Sequence, residues 1–208
     1  MNILMITGSP KKNGSASRAI LLGLEQYLKD AAADSVITHA HSLDTDIGEK
    51  AAACDVLVLA FPLYVDGIPS HLLSVMEQME RSRCIRERTP IYVVVNCGFY
   101  EGEQCGIALE MAKHWCERCG AKWGGGLGFG GGGGLDMMDM APMGCGPKKN
   151  LGNALREVAE SIVSGAGWEY RFASVNFPAF MYRLGAQSMW RRMAKSNGLR
   201  RKDLSRQP

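Results

Sequence analysis

Short apolar runs of strand length alternate along this chain with longer segments whose apolar residues recur at helical spacing. Residues 3–7, 55–61 and 91–96 form the clearest runs, and 55–61 is apolar almost throughout, as expected of a central parallel strand buried on both faces. Two weaker runs, 35–40 and the glycine-rich 121–129, complete five predicted strands. Strands that alternate with helices in this way predict an α/β fold, with a parallel sheet, helices on both faces and right-handed crossovers.

Apolar stripes at spacings of three and four residues predict four helices between and after these strands. The first follows Ser15 and Ser17, either of which can cap a helix. The four stripes consist of Ile20, Leu21, Leu24 and Leu28; Leu72, Leu73, Met76 and Met79; Ile107, Met111 and Trp115, with Ala108 and Ala112 beside them; and Leu151, Leu155, Val158 and Ile162.

The length of the chain, 208 residues, predicts one well-buried domain. The predicted strands and helices of the sheet end before residue 168, so we assign the domain to residues 1–167 and a helical extension to 168–208. We expect no transmembrane segment, because no apolar run approaches the roughly 18 residues that a bilayer requires. An early Gly8 and Pro10 interrupt the first apolar run, so we expect no secretory leader. Seven scattered cysteines favour reduced thiols and a cytoplasmic location.

The positive charge of the chain is concentrated in the extension. Residues 183–208 contain eight basic side chains and one acidic side chain, a net charge of +7, whereas the other 182 residues carry −4. A helix is predicted from Pro178 to Lys195, with large apolar side chains and basic residues toward its end. Such a helix could lie on a membrane surface, but we favour packing on its own or a partner subunit, beside the ligand pocket.

Three loops that follow predicted strands carry unusual residues. The first, Gly8-Ser-Pro-Lys-Lys-Asn-Gly-Ser-Ala-Ser17, leads from a strand directly into a helix, where free N–H groups and the helix dipole favour an anion. The second loop covers residues 62–69 and the third covers 96–105. Because ligands of open α/β sheets bind beyond the carboxyl ends of the strands, these loops predict one site.

The composition of the first loop favours a phosphate monoester over a nucleoside triphosphate. A triphosphate site is typically G-x-x-x-x-G-K-[ST], and neither the lysine nor the magnesium-binding hydroxyl falls in register here. Hydroxyls at a helix N-terminus can hold a single phosphate without magnesium. We therefore predict a flat aromatic mononucleotide as the ligand.

The chain resembles the NAD(P)H-dependent FMN reductase branch of the flavodoxin-like flavoproteins. The resemblance covers residues 1–165 and rests on the order and spacing of three motifs: the first loop, the turn Pro62-Leu-Tyr64 and the segment Asn96-Cys-Gly98. This resemblance implies a flavodoxin-like, doubly wound, five-stranded parallel sheet with the strand order 2-1-3-4-5. It implies FMN as the cofactor and NAD(P)H as the co-substrate. It assigns no catalytic side chain with certainty, because the flavin carries the chemistry.

The resemblance also implies which residues bind the cofactor. Those for the phosphate are Ser9, Lys11, Asn13, Ser15, Ala16 and Ser17; those along the isoalloxazine ring are Pro62, Leu63, Tyr64 and Val65; and those at its pyrimidine edge are Asn96, Cys97, Gly98 and Phe99. Ordinary structural roles stay open for all of them. The first loop could be a simple strand-to-helix turn, Tyr64 and Phe99 could be half-buried aromatics, and Cys97 could be a packed small residue.

The expected function is that of an FMN-dependent NAD(P)H oxidoreductase, which passes electrons to a small acceptor such as a quinone, a flavin or a nitroaromatic. The alternative is a flavodoxin-type electron carrier without nicotinamide activity. A third possibility is a protein that keeps the fold without flavin and uses its basic tail to dock to an anionic partner. Carriers usually present an acidic surface, whereas the sequence pI here is about 8.5, which favours the enzyme. The resemblance implies a homodimer or a higher homo-oligomer, and we expect no nucleic-acid partner.

Two further motifs are interpreted as structural. Cys116 and Cys119 form a C-x-x-C at the end of a predicted helix with no second pair nearby, so we predict no metal and no iron–sulfur cluster. The glycine-rich segment 124–134 contains a formal G-x-G-x-x-G match, which a run of glycines produces by accident. We interpret that segment as a mobile loop that leaves the fifth strand.

Overall fold

The computed structural model describes residues 1–11, 14–138, 141–200 and 203. Strands and helices alternate through most of the chain. The strands are β1 (Asn2–Thr7), β2 (Val36–His41), β3 (Val56–Pro62), β4 (Pro90–Cys97), β5 (Lys122–Gly130) and β6 (Tyr170–Ser174). The α-helices are α1 (Ala16–Ala31), α2 (Ile47–Ala53), α3 (Ser70–Ser82), α4 (Gly106–Arg118), α5 (Lys149–Ser164) and α6 (Ala179–Ser196), and 3₁₀ turns cover Gly102–Cys105, Gly132–Met138 and Gly146–Lys148.

All six strands are parallel and lie in the order β2-β1-β3-β4-β5-β6. The predicted parallel sheet and its order 2-1-3-4-5 are confirmed, but the prediction of five strands is wrong by one. The additional strand β6 lies inside the segment 168–208 that was assigned to the helical extension. It is an edge strand whose residues are exposed or half-buried. Its sequence, YRFAS, therefore lacks the continuous apolar run by which a buried strand can be predicted.

The helices cover both faces of the sheet, and β3 is buried along nearly its whole length, as its sequence predicts. The largest apolar cluster joins one face to α2, α3 and α4 through residues such as Ile47, Leu72 and Trp115. On the opposite face α1 packs against α5. In α4, Trp115 and the neighbouring Ala108 and Ala112 are buried as predicted. Ile107 and Met111 are exposed, and Leu109 and Cys116 are buried instead, so that part of the predicted stripe is wrong.

The glycine-rich segment is not a mobile loop. Gly124 to Gly130 belong to the buried strand β5, and the next residues form the 3₁₀ turn Gly132–Met138. The glycines are required because other groups occupy the space of a side chain. A Cβ atom on Gly124 would lie 2.7 Å from the ring of Tyr92, and one on Gly130 would lie 2.0 Å from the carbonyl oxygen of Tyr100.

The chain forms two compact units, Met1–Asn176 and Phe177–Pro208. The first unit contains the whole sheet. Because β6 belongs to the sheet, this unit extends past residue 167, where the sequence predicts the boundary. The second unit contains α6, which begins after Pro178 and ends where the side chain of Asn197 donates to the carbonyl of Met193 at 2.8 Å. Every residue of α6 is at least partly exposed. Among the residues that the structure describes, no helix is both long and apolar enough to span a membrane.

Candidate functional site

The sheet topology brings the three predicted loops to one edge. In the strand order, β1 and β3 are neighbours although β2 separates them in sequence, so the loops after β1 and β3 leave the sheet side by side. Thr7 is paired with Ala60 and Pro62 with Asn96, which sets the loops after β1, β3 and β4 at adjacent positions. Such a point, where consecutive crossovers diverge, is where open α/β sheets bind ligands.

The loop after β1 is held against the sheet before it enters α1. The backbone N–H of Gly8 donates to the carbonyl of Ala60 at 2.8 Å, and a Cβ atom on Gly8 would lie 2.9 Å from that of Phe61. Ser9 is buried, and its hydroxyl accepts a hydrogen bond from the N–H of Lys11 at 3.3 Å. The loop therefore passes close over the end of β3, while the side chain of Lys11 is exposed.

The N-terminus of α1 is capped by Ser15. Its hydroxyl accepts a hydrogen bond from the N–H of Arg18 at 3.2 Å, and the half-buried Ala16 is the first helical residue. The remaining N–H groups of a first helical turn have no partner within the helix and, together with the dipole, attract an anion. Asn13, another predicted phosphate ligand, lies outside the described residues.

Asn96, at the end of β4, connects the three loops. Its buried side-chain amide donates to the hydroxyl of Ser17 at 2.8 Å and to the carbonyl of Phe61 at 3.1 Å. Its own carbonyl accepts from the N–H of Leu63 at 2.8 Å. Ser17 is buried, and the hydrogen bond between its side chain and Asn96 is not predicted from the sequence.

The loop after β3 places its tip in solvent. Pro62 and Leu63 are half-buried, whereas Tyr64 and Val65 are exposed. Tyr64 and Gly67 exchange backbone hydrogen bonds across a tight turn whose central residues, Val65 and Asp66, have φ values of 49° and 56°. A left-handed conformation at a β-branched residue is costly, and such strain is concentrated at ligand sites.

The loop after β4 turns from buried to exposed within one residue. Cys97 is buried, and the next two residues, Gly98 and Phe99, are exposed. The thiol of Cys97 donates to the carbonyl oxygens of Glu101 and Phe99, at sulfur–oxygen distances of 3.6 and 3.8 Å. The neighbouring thiol of Cys105 lowers the pKa of Cys97, whereas Cys97 and burial together raise the pKa of Cys105.

A fourth segment, the glycines that follow β5, borders the site, and it is not one of the three loops that the sequence predicts. The N–H of Gly131 donates to the carbonyl of Phe99 at 2.6 Å, and a Cβ atom on Gly132 would lie 2.8 Å from the amide oxygen of Asn96. The signal was present as the run of glycines after β5. It was misinterpreted because a glycine needed for close approach looks, in sequence, like a glycine in a flexible linker.

Comparison with solved structures identifies the fold. An NADH:FMN oxidoreductase (EMOB) in its apo form matches with a TM-score of 0.59 at 14% identity, over 80% of this chain and 90% of that chain. A flavodoxin from Streptococcus pneumonia TIGR4 matches with a TM-score of 0.56 at 12% identity, over 80% of this chain and 100% of that chain. The chain has the flavodoxin-like fold. An azoreductase from Bacillus anthracis str. Sterne shares this flavodoxin-like fold, with a TM-score of 0.52 at 13% identity over 77% of this chain and 97% of that chain.

Sequence comparison adds nothing to this identification, since no protein-family model and no curated protein match the chain. The flavodoxin-like fold is the fold that the three loop motifs predict, so that prediction is confirmed.

The residues of the candidate site fit a phosphate monoester joined to a flat ring. The helix N-terminus and the hydroxyls of the first loop supply donors for an anion. Tyr64 and Phe99 are 47% and 54% exposed at the neighbouring loops, where they offer aromatic surface. The buried hydroxyl of Thr7, directly before the first loop, has no hydrogen-bond partner among the described residues. No group of three or more His, Cys, Asp or Glu side chains is placed to hold a metal within the described part of the flavodoxin-like chain.

Proposed function

We propose that this protein is an FMN-dependent oxidoreductase that takes a hydride from NADH or NADPH and passes the electrons to a small acceptor of the quinone, flavin or nitroaromatic class. The observation that carries the proposal is the position of Asn96, whose hydrogen bonds to Ser17, Phe61 and Leu63 join the three motif-bearing loops at one edge of the sheet. Loops that do not share a binding site have no need of a buried residue that hydrogen-bonds to all of them. These loops therefore act as one binding surface.

In this proposal the first loop holds the phosphate of FMN. The N–H groups at the start of α1 and the side chains around them provide hydrogen bonds, and the dipole of α1 offsets the negative charge. Lys11 adds a positive charge at the exposed side of the loop. The proposed phosphate ligands are Ser9, Lys11, Asn13, Ser15, Ala16 and Ser17.

The other two loops orient the ring. Tyr64 provides a flat apolar surface, and the backbone N–H groups near Gly98 lie where donors would favour negative charge at the edge of the ring. The proposed ring contacts are Pro62, Leu63, Tyr64, Val65, Asn96, Cys97, Gly98 and Phe99. Bound FMN supplies the hydride chemistry. The proposal needs no acid or base from the protein, which binds and orients the reactants.

Similarity of fold supports a flavoprotein of this kind without choosing between an enzyme and a carrier, because an NADH:FMN oxidoreductase and a flavodoxin both match. The charge of the chain favours the enzyme, since the sequence pI is about 8.5. The assembly as a homodimer, the packing of α6 on its own or a partner subunit, and the cytoplasmic location stay predictions.

The first test is the visible spectrum of the purified full-length protein with added FMN, followed by anaerobic NADPH or NADH. We expect FMN to bind and its absorbance to bleach rapidly with at least one of the two nucleotides. FMN that binds but stays oxidised would indicate the electron carrier instead. A protein that does not bind FMN would contradict the assignment of the loops.

Replacing Tyr64 with alanine tests the ring assignment. Tyr64 is 47% exposed, so its removal should leave the free energy of unfolding nearly unchanged. If its ring stacks on the flavin, the variant loses about 1 kcal/mol of binding, which corresponds to roughly a fivefold to tenfold weaker Kd for FMN. Quenching of FMN fluorescence measures that Kd.

Phe172→Ala is the matched control, because Phe172 is an aromatic residue of similar exposure, 40%, on the edge strand β6. It should bind FMN as tightly as the unaltered protein. Equal Kd values for the Tyr64→Ala variant and this control would exclude Tyr64 from the ring site.

A further inference from the structure

A polar crevice lies on the side of β1 that faces β2, away from the loops after β3 and β4. It has a volume of about 250 Å³ and lies between α1 and the end of β2, the edge strand next to β1. Leu21, in its wall, belongs to the second turn of α1, whereas we assign the phosphate of FMN to the N–H groups of the first turn. The side chains that can bind a ligand here belong to Thr7, Arg18, His39, His41 and Asp44.

The side chains of Thr7 and His41 point toward α1. The two residues are register partners at the ends of β1 and β2, and partners in neighbouring strands place their side chains on the same face of a sheet. His39, two residues before His41 and therefore on that face too, hydrogen-bonds through Nε2 to Glu25 of α1 at 2.9 Å. Thr7 and His41 therefore project from the sheet on the side where the crevice lies.

Buried polar atoms without a partner are concentrated at this corner of the fold. Among the described residues, four buried side-chain atoms have no hydrogen-bond partner, and three of them belong to Thr7, His41 and Ser42. Thr7 and Ser42 are 5% and 3% exposed, and the N–H of Ser42 donates to the carbonyl of Thr7 at 3.0 Å. An unpaired buried polar atom costs free energy, so a cluster of such atoms indicates a place where a polar group binds.

The unpaired atoms of Thr7 and His41 can both donate. The Nδ1 atom of His41 accepts a hydrogen bond from the N–H of Leu43 at 3.1 Å, which assigns the ring proton to Nε2. The hydroxyl of Thr7 is the second donor. Arg18 is exposed at the rim of the crevice, where its guanidinium adds a positive charge and further N–H groups. Two neutral donors and a guanidinium favour an anion that has several oxygens.

The carboxylates near the crevice already have partners. Asp44, at the rim, accepts the backbone N–H of His41 through Oδ2 at 2.8 Å, and Glu25 pairs with Lys29 at 2.6 Å as well as with His39. The second oxygen of Asp44 can accept from a hydroxyl group of a ligand. The volume of the crevice is below the roughly 300 Å³ at which pockets for drug-sized ligands begin, so a whole flavin nucleotide is too large for it.

We propose that this crevice binds the phosphate group of a small sugar phosphate or of inorganic phosphate, with Thr7, His41 and Arg18 as its ligands. The hydroxyl of Thr7 and the Nε2–H of His41 donate to phosphate oxygens, and Arg18 offsets the negative charge from the rim. Asp44 accepts from a hydroxyl of the sugar. This inference goes beyond the proposed function and does not depend on FMN.

The test is isothermal titration calorimetry of the full-length protein in a phosphate-free buffer, with inorganic phosphate, ribose 5-phosphate and ribose as separate probes. We expect one site per chain with a Kd of about 1 mM or tighter for at least one of the two phosphates, and no binding of ribose. The phosphate with the lower Kd shows whether the occupant is the ester or the free ion. Absence of saturable binding of both would overturn the proposal.

Repeating the titration with saturating FMN separates this crevice from the proposed flavin site. The Kd for phosphate should stay unchanged, and loss of phosphate binding in the presence of FMN would overturn the proposal, because the phosphate would then occupy the flavin site. FMN binding itself is followed from the visible spectrum. The proposed function and this inference can therefore fail independently.

Two variants test the assigned ligands. Arg18→Gln removes the guanidinium and should weaken phosphate binding at least about tenfold. His41→Asn retains an acceptor for the N–H of Leu43 but removes the Nε2–H donor, and it should weaken binding by about tenfold as well. The matched control is Arg81→Gln, an exposed arginine on α3, which packs on the other face of the sheet. Equal Kd values for Arg18→Gln and Arg81→Gln would exclude Arg18 and overturn the assignment.

Thr7→Val gives a readout that a purely structural role of the hydroxyl would not produce. In phosphate-free buffer the Tm of the variant should equal or exceed that of the unaltered protein, because an unpaired buried hydroxyl does not stabilise the fold. Added phosphate should raise the Tm of the unaltered protein more than that of the variant. A lower Tm of Thr7→Val without phosphate would contradict the proposal. If Thr7→Val or His41→Asn does not fold, the exposed Arg18→Gln decides.

Discussion

Replacing Gly130 with alanine is expected to cost about 3 kcal/mol or more of the free energy of unfolding, toward the upper end of what overpacking a core costs. The added Cβ atom would lie 2.0 Å from the carbonyl oxygen of Tyr100 and 2.9 Å from the carbonyl carbon of Glu101. Both are backbone atoms, so no side-chain rotation relieves the contact, and the loop after β4 must move away from β5. Urea unfolding followed by circular dichroism measures the loss.

Gly98→Ala is the control for this prediction. Gly98 lies in the same loop, but no atom lies within 4 Å of the position that its Cβ would occupy, and its backbone is outside the positive-φ region. We expect its free energy of unfolding to stay within about 0.5 kcal/mol of that of the unaltered protein. Equal stability of the Gly130→Ala and Gly98→Ala variants would show that the close approach of Tyr100 to β5 is wrong.

Asn96→Asp is expected to weaken both the fold and the proposed FMN site. The substitution keeps the shape of the side chain but replaces the amide donor, which holds Ser17 and Phe61, with an acceptor. At pH 7 a buried carboxylate would face the carbonyl oxygen of Phe61, and we expect a loss of about 2–3 kcal/mol of the free energy of unfolding. The Kd for FMN should rise at least about tenfold, since the first turn of α1 loses its tie and gains a nearby negative charge.

The loss of stability should depend on pH. Burial raises the pKa of the introduced carboxyl in the folded state above its unfolded value of about 3.9. Below that unfolded value the carboxyl is protonated in both states and can donate again, so the penalty is small. As the pH rises toward the folded-state pKa the penalty grows, and it is fully present above that pKa. Urea unfolding at pH 4 and at pH 7 measures the difference.

Asn150→Asp makes the same chemical change at an exposed position. Asn150 lies on α5, and its amide donates to the carbonyl of Ser174 at 3.1 Å, so an equivalent hydrogen bond is lost while water solvates the new charge. We expect a loss of at most about 1 kcal/mol with little change between pH 4 and pH 7. If both variants lost the same amount at both pH values, Asn96 would not be the buried connector of the three loops.

Much of the fold is predictable because the strands of a parallel sheet are buried on both faces. Burial on both faces requires unbroken apolar runs, and β1, β3 and β4 carry them. Edge strand β6 has no such requirement, so Tyr170–Ser174 leaves no mark in the sequence and its residues were assigned to the extension. In α4 the buried stripe is centred on Ala108, Ala112 and Trp115, so Ile107 and Met111, which lie beside it on the helix, are exposed.

The candidate site could be predicted in its parts but not in its connections. The polar first loop, the turn at Tyr64 and the segment 96–99 were identified from local sequence, because strand ends and helix starts are local features. Nothing local reveals that Asn96 would bond to Ser17, 79 residues away, or that Gly132 would pack against Asn96.

The sequence by itself determined the parallel α/β sheet and the three loops that follow its strands, because periodicity and turn chemistry act over a few residues. The order of the first five strands was implied by the resemblance of the loop motifs to a known family. Only the tertiary structure decided that β6 completes the sheet, that the glycines of β5 admit neighbouring backbone and rings, and that Asn96 ties the loops together. Those features depend on contacts between segments far apart in the chain. Such contacts exist only after the sheet has brought the segments together.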